Sequence, residues 1–284
     1  MNRFFPAAPI TLHLGSTPYD VTHRALVMGI LNRTHDSFFA PAATFDLDNF
    51  LARAQQLVDE GADLLDVGGV KAGPGEEVTE SEELDRVVPA IELLRERFDV
   101  PVSVDTWRAS VAEASFAVGA CVGNDISGFA DPRYLEVAAR AGASVVATHI
   151  RLAPRVADPD PHYDNVTERV VEFLTLRRQR ALTAGISPER VILDAGLDLG
   201  KSAAQSLQLL RDSARIAELG PLLLSASNKT FLGVMFDLDV LNRREPSLVA
   251  AALGIAGGCR VLRVHDVRGT VRVRDALSRV MEVA

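Results

Sequence analysis

Cysteine and tryptophan are scarce in this chain, at two and one of 284 residues. No apolar stretch approaches the roughly 20 residues that a membrane-spanning helix needs, so a transmembrane protein is not expected. Cys121 and Cys259 fall within strand-like runs and make no CxxC spacing, which reads as buried reduced thiols rather than a disulfide or a metal centre. A basic excess is also lacking. Thirty Lys and Arg against 38 Asp and Glu leave a formal charge of -8, which speaks against nucleic acid as a partner. The first residues, Met1 to Pro9, show neither a positive stretch leading into a long apolar core nor a cleavage site, so a cytoplasmic protein is expected. No Pro/Gly/Ser-rich linker, charge block or repeat divides the chain, and residues 1–284 read as one domain.

What the chain does have is a recurring device, an apolar run of strand length that delivers a polar group or glycine at its C-terminal end. Such runs stop at Asn32, Gly68, Asp105, Asn124, His149, Asp194, Ser225 and His265, with stretches of helical period between them. Strands alternating with helices imply parallel pairing through right-handed crossovers. Eight such units match a single (β/α)8 barrel of the α/β class better than an open sheet. Residues 10–24 alternate apolar and polar about Gly15-Ser16-Thr17-Pro18, so an N-terminal β-hairpin within 1–24 is predicted to cap the barrel floor.

The helices carry start and stop signals. Asp46 or Asp48 is the expected cap of a helix over Asn49 to Glu60, and Thr79 with Glu82 has capping-box spacing. Asp131-Pro132 is expected to open the fourth helix, Asp164 to cap the fifth up to Ala184, and a last helix to run from about Val273 to Val283. Pro154, Pro159 and Pro161 keep the segment 151–163 from being helical throughout.

In a barrel the strand C-termini converge, so Asn32, Asp105, Asn124, Asp194 and His265 would line one mouth. Asp105, Asn124 and Asp194 supply acceptors and one amide, suited to a flat heterocycle with several N–H groups, although each alone would serve equally as a helix N-cap. Arg263 and His265, two apart on a strand, share a face on which an anion fits, whereas a plain pairing of Arg263 with Asp266 accounts for the arginine as well. Lys229 sits where a helix begins after the seventh strand, a place for an anion or a carbonyl. Most of the other late arginines, Arg260, Arg268, Arg272, Arg274 and Arg279, are expected on the solvated side of the last helix. Gly200-Lys201-Ser202 imitates the end of a P-loop, but its spacing from Gly196 is one residue short, which excludes nucleotide binding there.

These motifs, in order, resemble the dihydropteroate synthases, pterin-binding (β/α)8 barrels. Met28-Gly29-Ile30-Leu31-Asn32 with Asp36-Ser37-Phe38, Gly61-Ala62-Asp63 to Gly68-Gly69, and Ser103-Val104-Asp105-Thr106 are similar to the family's first three motifs. Asn124 to Gly128, Asp194 to Lys201, Ser227 to Lys229 and Arg263 to Asp266 follow in the family's order. The resemblance implies that Asp105, Asn124, Asp194 and Lys229 hold a pterin, that Arg263 and His265 hold its pyrophosphate, and that Asn32 helps place Mg2+. Lys229, Arg263 and His265 are then the catalytic residues. It also implies a homodimer formed through late helices.

Departures from the family cluster in the loops. Arg33-Thr34-His35 and Phe39-Ala40-Pro41-Ala42 alter the first loop, and Val70-Lys71-Ala72-Gly73-Pro74-Gly75 stands where the family has Glu-Ser-Thr-Arg-Pro-Gly. Ala195, Asp198 and Leu199 replace a proline, a glycine and a phenylalanine, and Asn228 replaces an arginine. Two lost charge-assisted contacts at roughly 1.5 to 3 kcal/mol each would slow the family reaction by about 10²- to 10⁴-fold. The sequence therefore points to a homologue that keeps the pterin pocket but is weak or inactive as a synthase. Alternatives are an active synthase in which Lys71 or Arg33 replaces the missing arginine, a folate-binding barrel for methyl transfer, and a non-enzymatic partner subunit. Retention of Arg263 and His265 argues against methyl transfer.

Overall fold

The computed structural model describes residues 9–33 and 47–282. Strands β1 (Thr11–Leu14) and β2 (Thr17–Asp20) pair antiparallel about Gly15, whose φ of +61° is the left-handed geometry that glycine adopts without strain. Eight more strands follow: β3 (Leu26–Asn32), β4 (Leu64–Gly68), β5 (Val102–Asp105), β6 (Val122–Asp125), β7 (Ser144–Thr148), β8 (Val191–Asp194), β9 (Leu222–Leu224) and β10 (Cys259–Val264). They close into a barrel in the order β10-β3-β4-β5-β6-β7-β8-β9, every neighbouring pair parallel. The helices outside are α1 (Leu47–Asp59), α2 (Glu80–Arg97), α3 (Ala109–Ala117), α4 (Tyr134–Ala141), α5 (Val166–Thr183), α6 (Ala203–Arg211), α7 (Ser213–Ala217), α8 (Thr230–Phe236), α9 (Arg244–Ala256) and α10 (Val267–Glu282). This is the (β/α)8 barrel with an N-terminal hairpin that the strand endings predict.

The period of two along each strand divides the barrel into layers. Leu26, Met28, Leu64, Val122, Val146, Ile192, Leu223 and Val261 point inward and pack with Leu12, Leu14 and Val21 of the hairpin, forming an apolar floor. Two residues further along the same faces the side chains become polar: Asp66 follows Leu64, Asn124 follows Val122, Asp194 follows Ile192 and Arg263 follows Val261. Intervening residues such as Val27, Leu31, Leu65, Val67 and Val104 face outward and are covered by Phe50, Leu57, Val87, Ile91 and Leu94 of α1 and α2. Register completes the arrangement. Asn32 pairs with Gly68, Gly68 with Asp105, and Asp105 with Asn124, so three of the expected site residues stand in one row across four strands.

Several element boundaries differ from the sequence expectation. Helix α1 begins at Leu47, placing Asp48 inside its first turn, while Asp46 lies outside the described residues. Thr79 and Glu82 do form the reciprocal capping box of α2. The Asp131 carboxylate accepts the N–H groups of Arg133 (2.9 Å), in the turn that leads into α4, and of Ala109 (3.1 Å), the first residue of α3, while α4 itself begins at Tyr134. Asn165, not Asp164, caps α5 by accepting from Glu168 N, and Asp266 Oδ1 accepts from Gly269 N at 2.8 Å, so α10 starts six residues before Val273. Cys121 lies one residue before β6, and both cysteines are free. Of the late arginines, Arg274 is buried against Asp63 at 2.8 Å and Arg260 is buried on β10, so neither is on a solvated face. No helix among the described residues is long and apolar enough to cross a membrane.

One side chain holds the hairpin to the barrel. The fully buried Ser144 hydroxyl accepts from Gly15 N (3.1 Å) and donates to His13 O (2.7 Å). Ser144→Ala leaves both backbone groups without that partner, and urea unfolding should show a loss of about 1–3 kcal/mol. A change under a few tenths of a kcal/mol would show that the floor is held by packing alone.

Candidate active site

The polar layer above the apolar floor is organised around Arg263. Its Nε donates to Asp66 Oδ2 at 2.6 Å and its Nη2 to Asp105 Oδ2 at 2.7 Å. Asn124 Nδ2 lies 3.3 Å from the same Asp66 oxygen, so β4, β5, β6 and β10 are tied across the barrel. Burial works against the Arg263 charge, yet Asp66 and Asp105 together hold its pKa above the ordinary range. Asp105 goes the other way: burial raises it to about 7, the Arg263 charge opposes the rise, and Asp66 adds to it. One guanidinium thus serves two carboxylates, and the cluster favours a ligand that brings N–H donors.

A second cluster forms where β8 ends. Asp194 Oδ1 accepts from Gly196 N at 2.7 Å, and burial raises its pKa against the pull of Lys229. Lys229 is the N-cap residue of α8, with its side chain turned inward so that Nζ donates to Leu197 O at 2.6 Å. Burial lowers its pKa while Asp194 and Asp198 support the charge. Lys201 is not at a phosphate loop. Its buried Nζ donates to the carbonyls of His149 (3.2 Å), Gly196 (2.8 Å) and Leu199 (3.0 Å), pinning the backbone that carries Asp194. Gly196 has φ +65°, and a Cβ there would lie 2.0 Å from His149 O, so only glycine fits this turn.

Beside these clusters, at the ends of β3 and β10, opens a cavity of about 570 Å³ in which Asn32, Arg53, Ser227 and His265 supply polar walls. His265 Nδ1 is 3.0 Å from Ser227 Oγ, and burial followed by the Arg263 and Arg53 charges holds the imidazole down at about 4. Arg263 and His265 therefore share a face but do not touch the same partners. Nor does Arg263 pair with Asp266, which salt-bridges Arg244 at 2.8 Å.

The altered loops meet each other. Arg155 reaches over from the loop after β7, donating its N–H to Ala72 O (3.0 Å) and its guanidinium to the carbonyls of Lys71 and Glu76. At Gly73 a Cβ would meet nothing within 4 Å, so a side chain would be accommodated there. Arg33, one expected stand-in for the lost arginine, is buried, its guanidinium 5.4 Å from the centre of the Phe50 ring and its Nε donating to Arg86 O at 3.3 Å. Residues 34–46, including the expected motif at Asp36-Ser37-Phe38 and the changes at Thr34, His35 and Phe39 to Ala42, lie outside the described residues.

Asn32, Asp105, Asn124, Asp194, Arg263 and His265 thus lie at or within one residue of the C-terminal ends of their strands, and Lys229 lies five residues past β9, at the start of α8. Sequence reading missed Asp66, Ser227 and Arg53 as site components and dismissed Lys201. Asp66 did carry a signal, a carboxylate at the centre of the apolar run Leu64-Leu65-Asp66-Val67, in phase with the inward-facing Leu64.

Fold and site define a (β/α)8 barrel with a charged small-molecule pocket at its mouth. A family described as "Pterin binding enzyme" matches residues 28–265. The chain is 42% identical over 267 residues to a protein of Mycobacterium tuberculosis named "Inactive dihydropteroate synthase 2", covering 92% of this chain and 84% of that one. It is 38% identical over 246 residues to the dihydropteroate synthase of Haemophilus influenzae, covering 86% and 90%. The crystal structure of Yersinia pestis dihydropteroate synthase with a sulfonamide drug complex superposes with a TM-score of 0.91 at 36% identity, covering 97% and 100%. The chain belongs to this pterin-binding family of dihydropteroate synthases and their homologues.

Asp66 is 0% exposed and Arg263 16% exposed, so Asp66→Ala strips a buried cation of half its partners. The variant should lose roughly 3–5 kcal/mol in urea unfolding. A loss below about 1 kcal/mol would show that Arg263 finds its charge balance elsewhere.

Proposed function

We propose that this chain binds a pterin, or an analogue presenting the same N–H groups, and is a weak or inactive dihydropteroate synthase. The observation that carries the reading is the contrast between an intact inner pocket and a changed mouth. Asp105, Asn124, Asp194 and Lys229 meet around Arg263, while the second loop has lost its family hydroxyl and arginine and Leu199 stands in place of an aromatic ring.

In the family reaction the methylene–oxygen bond of a hydroxymethyl-dihydropterin pyrophosphate breaks, pyrophosphate departs with the electron pair, and the amine of p-aminobenzoate bonds to the methylene and loses a proton. Here the carboxylates of Asp105 and Asp194 would accept ring N–H groups, and Lys229 would donate to a ring acceptor. His265 and Arg263 would face the departing charge. No residue of the second loop supplies the arginine that would hold the leaving group or help to close the mouth over p-aminobenzoate, and that is where the rate would be lost.

The family resemblance also implies Mg2+. Asn32 offers one neutral oxygen at the mouth, and among the described residues no group of three His, Cys, Asp or Glu is placed to hold a metal. That donor set suits an ion carried in on the diphosphate with most of its waters retained. Bound there, it would neutralise leaving-group charge. The same reading takes residues 1–284 as one pterin-binding unit acting in the cytoplasm. Val234, Phe236, Val249 and Leu253, on α8 and α9, are more than half exposed, which supports a homodimer through these late helices.

Calorimetric titration with the dihydropterin pyrophosphate should give binding that Asp105→Ala and Asp194→Ala each abolish. Wild-type affinity in both would reduce the carboxylates to structural caps. Under single-turnover conditions with p-aminobenzoate, the parent should be about 10²- to 10⁴-fold slower than a variant carrying Val70→Glu, Lys71→Ser, Ala72→Thr, Gly73→Arg and Leu199→Phe. Equal rates would show that the loops are not the defect and that the chain is an active synthase.

A further inference from the structure

We propose that Arg53 is the residue with which this chain grips the phosphate end of its ligand, a guanidinium supplied from α1 rather than from a mouth loop. The assignment rests on the pterin reading above for what the phosphate is attached to, but its physical basis is independent of that reading.

The cavity beside the inner pocket has a polar rim that includes Asn32, Arg53, Ser227, His265 and the Arg244–Asp266 ion pair, with apolar walls that include Phe50 and Leu248. Ser227 Oγ accepts from His265 N at 3.2 Å and lies 3.0 Å from Nδ1 of the same residue, within reach of its hydroxyl proton. With Nδ1 accepting and the ring neutral, the imidazole proton sits on Nε2, available to an acceptor in the cavity.

An anion there needs a cation as well, and the neighbouring cations are engaged. Arg263 is held by Asp66 and Asp105, so its charge is already shared between two carboxylates. Arg244 salt-bridges Asp266 and Glu245, and Lys229 is directed at Leu197 O beside Asp194. Arg53 differs. It donates from Nη1 to Gln56 Oε1 at 2.8 Å and from Nη2 to His265 O at 2.9 Å, both neutral oxygens. Those two bonds fix the planar fork at the end of β10, next to the imidazole, and leave its charge without a carboxylate partner among the described contacts. A guanidinium held in this way matches a phosphoryl group in shape and charge. The ligand class is a pyrophosphate or phosphate ester lying between Arg53, His265 Nε2–H and Asn32, away from the carboxylates that take the heterocycle.

The test uses the full chain and two probes, inorganic pyrophosphate and 6-hydroxymethylpterin, which has no phosphate. Arg53→Gln should weaken pyrophosphate binding by about 10- to 100-fold in calorimetry and leave hydroxymethylpterin within about twofold, while Arg53→Lys recovers part of the loss. Arg272→Gln, an exposed arginine on α10, should change neither. Pyrophosphate affinity unchanged in Arg53→Gln overturns the proposal, as does a parent that binds no pyrophosphate or an equal loss for both probes, which would mark Arg53 as structural. A parent that binds pyrophosphate through Arg53 but no pterin would instead remove the pterin reading and leave the phosphate site standing.

Discussion

The bridge from Arg263 to Asp66 and Asp105 is the interaction on which the rest of the site depends. Three charges are brought together in the upper layer of a barrel whose lower layer is mainly apolar, and taking them out of water is tolerable only because each has a partner. The geometry follows from strand register: Met28 pairs with both Arg263 and Leu64, and Gly68 pairs with Asp105, so the three side chains converge without any loop being required to place them. A site built on strands in this way is rigid before any ligand arrives. Loop changes can then alter what the mouth does while the inner pocket keeps its shape.

Much of the fold was legible because one signal recurred eight times. Each strand announced itself by an apolar run and ended on a polar residue or a glycine, and a closed barrel is the arrangement that makes such scattered endings converge. Helix starts were harder to read. Asp131 and Asp164 look like caps in the sequence, but Asp131 divides its carboxylate between the turn before α4 and an N–H group of α3, 22 residues away in the chain, and at the second position Asn165 is the cap. Burial of Arg274 was invisible for a similar reason, since its partner Asp63 lies on the far side of the chain, before β4.

The site residues divide along the same line. Asp105, Asn124, Asp194 and His265 could be named because each terminates a strand. Asp66 is inside one, and its role appears only when Arg263 is seen to have two carboxylates and not one. Lys201 imitates the end of a phosphate loop in the sequence, with a spacing one residue short. Its actual role, binding three carbonyls beneath Asp194, leaves no local pattern because His149 comes from another strand end. Pairwise chemistry between distant segments is what a single sequence does not display.

The hairpin at the bottom of the barrel gives the pocket a direction. Leu12, Leu14 and Val21 fill the floor, and Ser144 holds them there, so among the described residues the interior is a well closed at that end and open at the strand C-termini. Whatever settles on the Asp66–Arg263 layer goes deepest, and anything held at the rim by His265 or the second loop lies across its exit. Two guests of such a well would be ordered by depth, the inner one entering first and leaving last.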